Sequence, residues 1–313
     1  MDKFENIIIT GGLGFIGKNF CDFLDTDYKN KIIIDKCTYA SDLDFYHEKL
    51  KKAGWKLIVS DINKISDIDE LKGLKKLLII NFAAESHVDN SFTNAKYFLK
   101  ANALGTLSVL DFVRSNGAKL IHISTDEVYG EVTEKPATEE SLLNPTNPYS
   151  ATKAAADLLA QTYQKCFNID LKIIRANNIY GRRQLSEKVI PKAIKHATLK
   201  KQFNIHGNKN PKRHFLHTHD FARAIECIIK TWHTCPYRVF NISGEESFYI
   251  KELIEKIYDY LKAPKNLILT GKDRPFNDME YLINDQKLRD LGWKPEVDFW
   301  PEIFKLCDER SYI

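Results

Sequence analysis

A doubly wound parallel α/β sheet carrying a smaller mixed α/β cap is the fold this sequence predicts. Three observations predict it. Short, continuously apolar, β-rich runs alternate with helical patterns through the first half of the chain. A Gly-x-Gly-x-x-Gly stretch follows the first of those runs directly. Pro and Gly then multiply in the second half, where the alternation loosens.

The runs 6–10, 31–35, 56–60, 77–82, 119–124 and 171–175 read as strands. Unbroken apolar runs suit parallel strands buried on both faces. Helices are expected between them, notably over 92–116 and 149–167. Such alternation implies right-handed crossovers and a doubly wound sheet. In the second half, 187–201, 218–232, 250–262 and 301–309 read as helices, with short strands at 239–242 and 267–270. Residues 1–175 and about 214–242 are therefore expected to form the main domain, and about 176–213 and 243–313 the cap. The polar stretch 131–148 is long for a strand-to-helix connection and is expected to be a flap over the site.

The 313 residues suffice for one large domain and a smaller one. A net charge of +4, with no basic run, gives no nucleic-acid signature. Six cysteines without Cys-x-x-Cys spacing suggest reduced thiols rather than zinc or disulfides. Met1-Asp2-Lys3 leads straight into a strand, with no signal-peptide pattern, and the longest apolar run is too short for a bilayer. A cytoplasmic protein without membrane or nucleic-acid partners is expected.

Gly12, Gly14 and Gly17 complete the glycine motif between the first strand and a helix. The first permits a tight turn, the second lets backbone approach a pyrophosphate, and the third lets helix and strand pack closely. Unpaired N–H groups at the helix start then face the phosphates. Gly11, Gly12, Gly14, Phe15, Ile16 and Gly17 are thus expected to hold a dinucleotide on a Rossmann sheet. Asp35 follows Gly17 by about 18 residues, near the ~20 of a ribose-binding acid. Its carboxylate would repel a 2′-phosphate, which favours NAD over NADP; the neighbouring Lys36 acts against that. Asp61 and Ile62, after the third strand, are expected beside the adenine.

Tyr149 and Lys153 share one helix face just after Asn147-Pro148. A free tyrosine, pKa ~10, is too weakly acidic to act as a base at neutral pH, and a nearby ammonium lowers that value. Tyr258 and Lys262 repeat the spacing away from any nucleotide motif and read as a solvated helix face. The first pair differs because Ser124-Thr125-Asp126-Glu127 ends the preceding strand, where ligands of doubly wound sheets bind. Two adjacent carboxylates divide acid and base work when their surroundings separate their pKa values. His214, His217 and His219 lack a supporting carboxylate pattern, and no metal site is expected.

With these residues in place, the chain resembles the extended short-chain dehydrogenase/reductase family, and within it the nucleotide-sugar 4,6-dehydratases acting on dTDP-glucose or UDP-glucose. The matching segments are 10–17, 35–40, 82–89, 122–130, 147–153, 187–191, 274–278 and 291–295. The resemblance implies a redox-neutral hydro-lyase with tightly bound NAD. Tyr149 would take the C4 hydroxyl proton as NAD accepts the C4 hydride. Glu127 would remove the C5 proton, Asp126 would protonate the departing C6 hydroxyl, and the hydride would return to C6. Thr125 would hold the C4 oxygen, and Lys153 would tune Tyr149. Ala83, Ala84 and Ser124 join the implied cofactor set.

For the nucleotide sugar the resemblance implies Ser86, His87, Asn178, Glu187, Lys188, Arg213, Asn241 and Arg274, with arginine forks and a lysine suiting phosphate oxygens. It also implies a homodimer paired through helices near 92–116 and 149–167. The segment Arg182-Arg183-Gln184-Leu185-Ser186 departs from the family's proline-bearing loop, and this change is expected near the sugar and diphosphate. The segment 274–278 looks more like the UDP-glucose branch, so a UDP-sugar is favoured. UDP-glucose, UDP-N-acetylglucosamine and dTDP-glucose remain open, as does the C5 stereochemistry. A 4-epimerase, another extended-family oxidoreductase and a non-catalytic dinucleotide sensor are the alternatives. The acid pair argues against an epimerase, and its presence with Tyr149 and Lys153 argues against a sensor.

Overall fold

The computed structural model describes residues 4–25, 27–207, 209–309 and 312; the Met1–Lys3 lead-in lies outside them. Isoleucine-rich β1 (Asn6–Thr10), β4 (Leu77–Asn81) and β7 (Leu171–Ala176) are buried along their whole length. Stiff β-branched side chains suit such two-sided burial. With β2 (Asn30–Asp35), β3 (Trp55–Val59), β5 (Lys119–Thr125) and β11 (Val239–Ile242) they form a parallel seven-stranded sheet ordered β11-β7-β5-β4-β1-β2-β3. The strand order reverses at β1, which lies between β2 and β4. That reversal opens a crevice beside the glycine turn.

The cap holds short strands, of which the sequence marks the one at 267–270. β8 (Asn178–Tyr180) and β12 (Ser247–Tyr249) flank β10 (Lys212–His217), and β9 (Phe203–His206) pairs β13 (Ile268–Gly271). The chain therefore returns to the main sheet at the helix Thr218–Lys230, slightly later than expected. The stretch 131–148 is not a free flap. Its β6 (Val132–Ala137) pairs with β14 (Tyr281–Ile283), and Glu139 accepts from the Asn241 amide. Among the described residues, no helix is long and apolar enough to cross a membrane.

Two helices shape the site. Pro148–Phe167 starts with a capping box, in which Asn147 accepts from the Ser150 amide and the Ser150 hydroxyl accepts from the Asn147 amide. The helix expected over 92–116 begins at Ala95 and runs to Asn116 through a π-helical turn. Val88–Thr93 ends at Asn94, and Leu99–Leu104 is a π-helical turn before Gly105–Asn116. That turn directs Asn102 inward, where it accepts from the Glu85 amide and donates to the Glu85 carbonyl and Thr152. Tyr258 corrects another expectation: it is buried in the cap core and donates to the Lys201 carbonyl, so Tyr258 and Lys262 do not share a solvated face.

Arg175 on β7 and Asp157 on Pro148–Phe167 form a buried, two-pronged ion pair, with Nε–Oδ2 and Nη2–Oδ1 both 2.8 Å. Arg175 holds the Asp157 carboxyl below its usual range against the opposing pull of burial. Its stabilisation is therefore present at neutral pH and is lost as pH falls through that lowered value. Asp157→Ala should cost about 3–5 kcal/mol in urea denaturation, because it strands a buried guanidinium. A loss below ~1 kcal/mol would contradict this role.

Candidate active site

The turn after β1 is a cradle that side chains would fill. Gly11 sits at φ 65°, and a Cβ there would lie 2.7 Å from Ala83 Cα. A Cβ on Gly12 would meet Ile33 at 2.8 Å, and one on Gly17 would meet the Gly11 oxygen at 2.4 Å. Phe15 and Ile16 open the helix Phe15–Phe23, whose N-cap Gly14 offers no capping side chain. The first-turn amides are thus free for an anion.

A cleft at this turn is lined by Gly11, Gly14, Asp35, Lys36, Asp61, Ile62, Ala83, Ala84 and Glu85. Asp35 is oriented by the Leu13 amide at 3.0 Å and by the Cys37 amide and Ser41 hydroxyl at 2.8 Å. Lys36 is drawn aside: it donates to the Tyr97 hydroxyl at 3.0 Å and lies 3.5 Å from Glu85. The set fits a dinucleotide with an unphosphorylated adenosine ribose.

Thr125 ends β5, and Asp126 and Glu127 begin the 3-10 turn that follows. Burial first, and the neighbouring Glu127 second, push the Asp126 carboxyl up to about 7. Burial also raises Glu127, but an Asn147 hydrogen bond at 3.1 Å and the charges of Arg213 and Lys188 pull it back. Both carboxyls thus lie above their ordinary values, with Asn177 and Thr125 opposing burial at Asp126 and Asn147 and Lys188 opposing it at Glu127. The Ser124 hydroxyl is buried beside them without a partner.

Tyr149 and Lys153 face this pair from one helix. Burial, then Glu127 and Asp126, raise the phenol, and only Thr125 opposes them. The Lys153 ammonium donates to the Ile123 carbonyl at 2.5 Å and is lowered by burial to about 8. Lys153 thus directs its ammonium to the backbone of β5.

The substrate-side residues divide. Lys188 reaches the Ser86 carbonyl at 3.0 Å, and Arg274 pairs with Asp89, its Nε 2.6 Å from Oδ1. Arg213 donates to the carbonyls of Lys212, Asp278 and Met279 while stacking on Tyr281. His87 caps the helix Val88–Thr93, Asn178 donates to the His214 carbonyl, and Glu187 is exposed.

Asn241 does not reach the site. It is fully buried, accepting from Tyr129 and donating to the Ala137 and Asn284 carbonyls. The 182–186 loop also departs from expectation. Arg182 pairs with Glu309, while Arg183 holds Asn19 and Asp22 and stacks on Phe45. His214 pairs with Glu280 at 2.8 Å, a carboxylate far away in sequence. Among the described residues no group of three or more His, Cys, Asp or Glu could hold a metal.

Sequence reasoning missed Asn147, Asn177 and Asp278. Asn177 donates to Asp126, and Asp278 accepts from Thr146 and Tyr281. Asn147 carried a signal as a helix cap; the other two gain their meaning only from contacts between distant segments.

A family model described as GDP-mannose 4,6 dehydratase matches residues 8–304. The chain is 35% identical to the trifunctional UDP-glucose 4,6-dehydratase/UDP-4-keto-6-deoxy-D-glucose 3,5-epimerase/UDP-4-keto-L-rhamnose-reductase of Arabidopsis thaliana, over 98% of this chain but 47% of that protein, about half its length. It is 33% identical to the dTDP-D-glucose 4,6-dehydratase of Homo sapiens, covering 96% of this chain and 88% of that one. Among solved structures, DesIV, a dTDP-glucose 4,6-dehydratase from Streptomyces venezuelae with NAD and TYD bound, matches with a TM-score of 0.90 at 30% identity, covering 98% of this chain and 96% of that one.

Gly17→Ala should purify with little nicotinamide cofactor, because the new methyl forces helix and turn apart. Wild-type cofactor content, measured on acid-released nucleotide, would refute that role.

Proposed function

The chain belongs to the family described as GDP-mannose 4,6 dehydratase, and on that premise we propose that it dehydrates a UDP-hexose with resident NAD. At the coarser level it is a nucleotide-sugar 4,6-dehydratase, a hydro-lyase. The observation that carries the reading is the setting of Asp126 and Glu127: two adjacent carboxyls at a strand end, Asp126 bonded to Thr125 and Asn177 and raised to about 7, Glu127 bonded to Asn147.

NAD in the cleft supplies the two-electron acceptor through which the sugar is oxidised at C4 and reduced again at C6. Tyr149 takes the C4 hydroxyl proton, and Thr125 holds that oxygen. The C4 ketone acidifies C5. Glu127 then removes the C5 proton while Asp126 gives its proton to the C6 hydroxyl, which leaves as water. Such positioned acid and base groups each contribute ~10²–10⁴-fold. Asp35, lining the cleft, and Lys36, held by Glu85 and Tyr97, support NAD over its 2′-phosphorylated form.

A UDP-sugar is supported by the 274–278 segment and by the UDP-glucose 4,6-dehydratase activity that the Arabidopsis relative is named for. Lys188, Arg213 and Arg274 are assigned to the diphosphate end, with Ser86, His87, Asn178 and Glu187 around the sugar. The face from which C5 is reprotonated sets whether the product is epimerised. Residues 1–175 and 218–242 are assigned to cofactor binding, and 176–217 and 243–313 to the cap. Exposed Leu99, Leu104, Leu158 and Phe167 support a homodimer through the helices that carry them, and six free cysteines support a cytoplasmic setting.

Purified protein mixed with UDP-glucose, UDP-N-acetylglucosamine or dTDP-glucose, without added NAD, should remove one water from a UDP-sugar. No mass loss from any of the three would sink the reading. Glu127→Gln should accumulate reduced-nicotinamide absorbance and release no 4-keto-6-deoxy product; full turnover would reject Glu127 as the base. In the wild type, the single-turnover dehydration rate should fall as pH rises through about 7, where Asp126 loses the proton it must give. A rate that climbs through that range would exclude Asp126 as the acid.

A further inference from the structure

Asn177 follows the last residue of β7 and is 4% exposed. Its Nδ2 donates to Asp126 Oδ2 at 2.7 Å and to the Tyr281 carbonyl at 3.2 Å. A backbone carbonyl only accepts, so Tyr281 fixes which end of the amide is NH₂, and both amide hydrogens are engaged. Asp126 Oδ2 therefore faces a group that can only donate. Oδ1 faces the Thr125 hydroxyl at 2.9 Å, and a hydroxyl either donates or accepts. Of the two carboxyl oxygens, Oδ1 is the one whose protein neighbour tolerates a proton.

We propose that Asn177 is a positioning residue that confines the Asp126 proton to Oδ1, on the Thr125 side, where the substrate's C6 hydroxyl receives it. The inference rests on Asp126 being the acid of the dehydration. In that step Glu127 takes the C5 proton, and the C5–H electron pair becomes the C5=C6 double bond. The C6–O pair leaves with oxygen, and the Oδ1 proton completes the water. Were the proton on Oδ2, it would point at an amide N–H and away from the leaving group. The carbonyl that orients Asn177 belongs to β14, the strand paired with β6. The geometry of the acid thus depends on the contact between those two strands.

Asn177→Leu keeps the branched shape without a donor, and Asn177→Ala removes the side chain. Each, checked for wild-type bound NAD, is mixed with the nucleotide sugar that the wild type turns over. Both should oxidise the sugar at a near wild-type rate, accumulate reduced-nicotinamide absorbance, and dehydrate ~10²-fold more slowly. Unchanged dehydration overturns the proposal. So does equal slowing of oxidation and dehydration, which marks a packing role. Asp126→Asn is run beside them: if it stalls after oxidation while the Asn177 variants do not, the Asn177 inference alone fails. If Asp126→Asn dehydrates normally, the acid assignment fails and takes the inference with it.

Discussion

The buried guanidinium of Arg175 is the tie on which the rest of the site depends. Two of its bonds go to Asp157 on the helix that carries Tyr149 and Lys153. A third goes to Tyr129, three residues past Asp126, and a fourth to the Glu139 carbonyl in the segment after β6. Tyr129 in turn donates to Asn241 on β11. A buried cation must be surrounded by acceptors, and the chain meets that demand with three segments that each border the chemistry. The fixed distance between the tyrosine helix and the acid-bearing turn follows from satisfying one charge.

The acid pair is held by the same economy of contacts. Asn147 caps the tyrosine helix through its Oδ1 and holds Glu127 through its Nδ2. The start of that helix and the Glu127 carboxyl are thus set by the two ends of one amide. Lys153 is fixed in turn by a carbonyl of β5, the strand that delivers Asp126. These groups are oriented before any substrate arrives, so little reorganisation is left for the reaction itself.

Most of the main sheet was legible because its strands are unbroken apolar runs. Asn6–Thr10 and Val239–Ile242 fall where the sequence puts them, and the other main-sheet strands shift by a residue or so. Of the cap strands, Ile268–Gly271 was legible within a residue and the others were not. Val132–Ala137 reads as a polar loop and becomes a strand only when Tyr281–Ile283 arrives from far down the chain. The π-helical turn Leu99–Leu104 was not legible for a similar reason: Asn102 turns inward to bond Glu85 and Thr152, partners on other segments. The glycine turn, Asp35, the acid pair and the Tyr149–Lys153 pair were legible as local spacing. The direction of Lys153, the removal of Asn241 and the role of Asn177 were not, since each depends on partners on other strands.

The divergent loop 182–186 shows how such distant partners change the meaning of a sequence difference. Its two added cations suggest an altered pocket for sugar or diphosphate. In the fold, Arg183 adopts a left-handed backbone at φ 66° and lays its guanidinium 3.9 Å over Phe45, while its Nη1 takes Asn19 on the glycine-motif helix. Arg182 turns to Glu309 near the end of the chain. Leu185 faces Tyr39, Ala40 and Ser41, and Ala40 and Ser41 also line the cofactor cleft. Both cations are therefore committed to the cofactor side of the molecule and to the C-terminal helix. A loop anchored this way ties its two arginines to the glycine-motif helix and to the end of the C-terminal helix. The same two side chains that differ from the family pattern are thereby taken up by contacts within the fold.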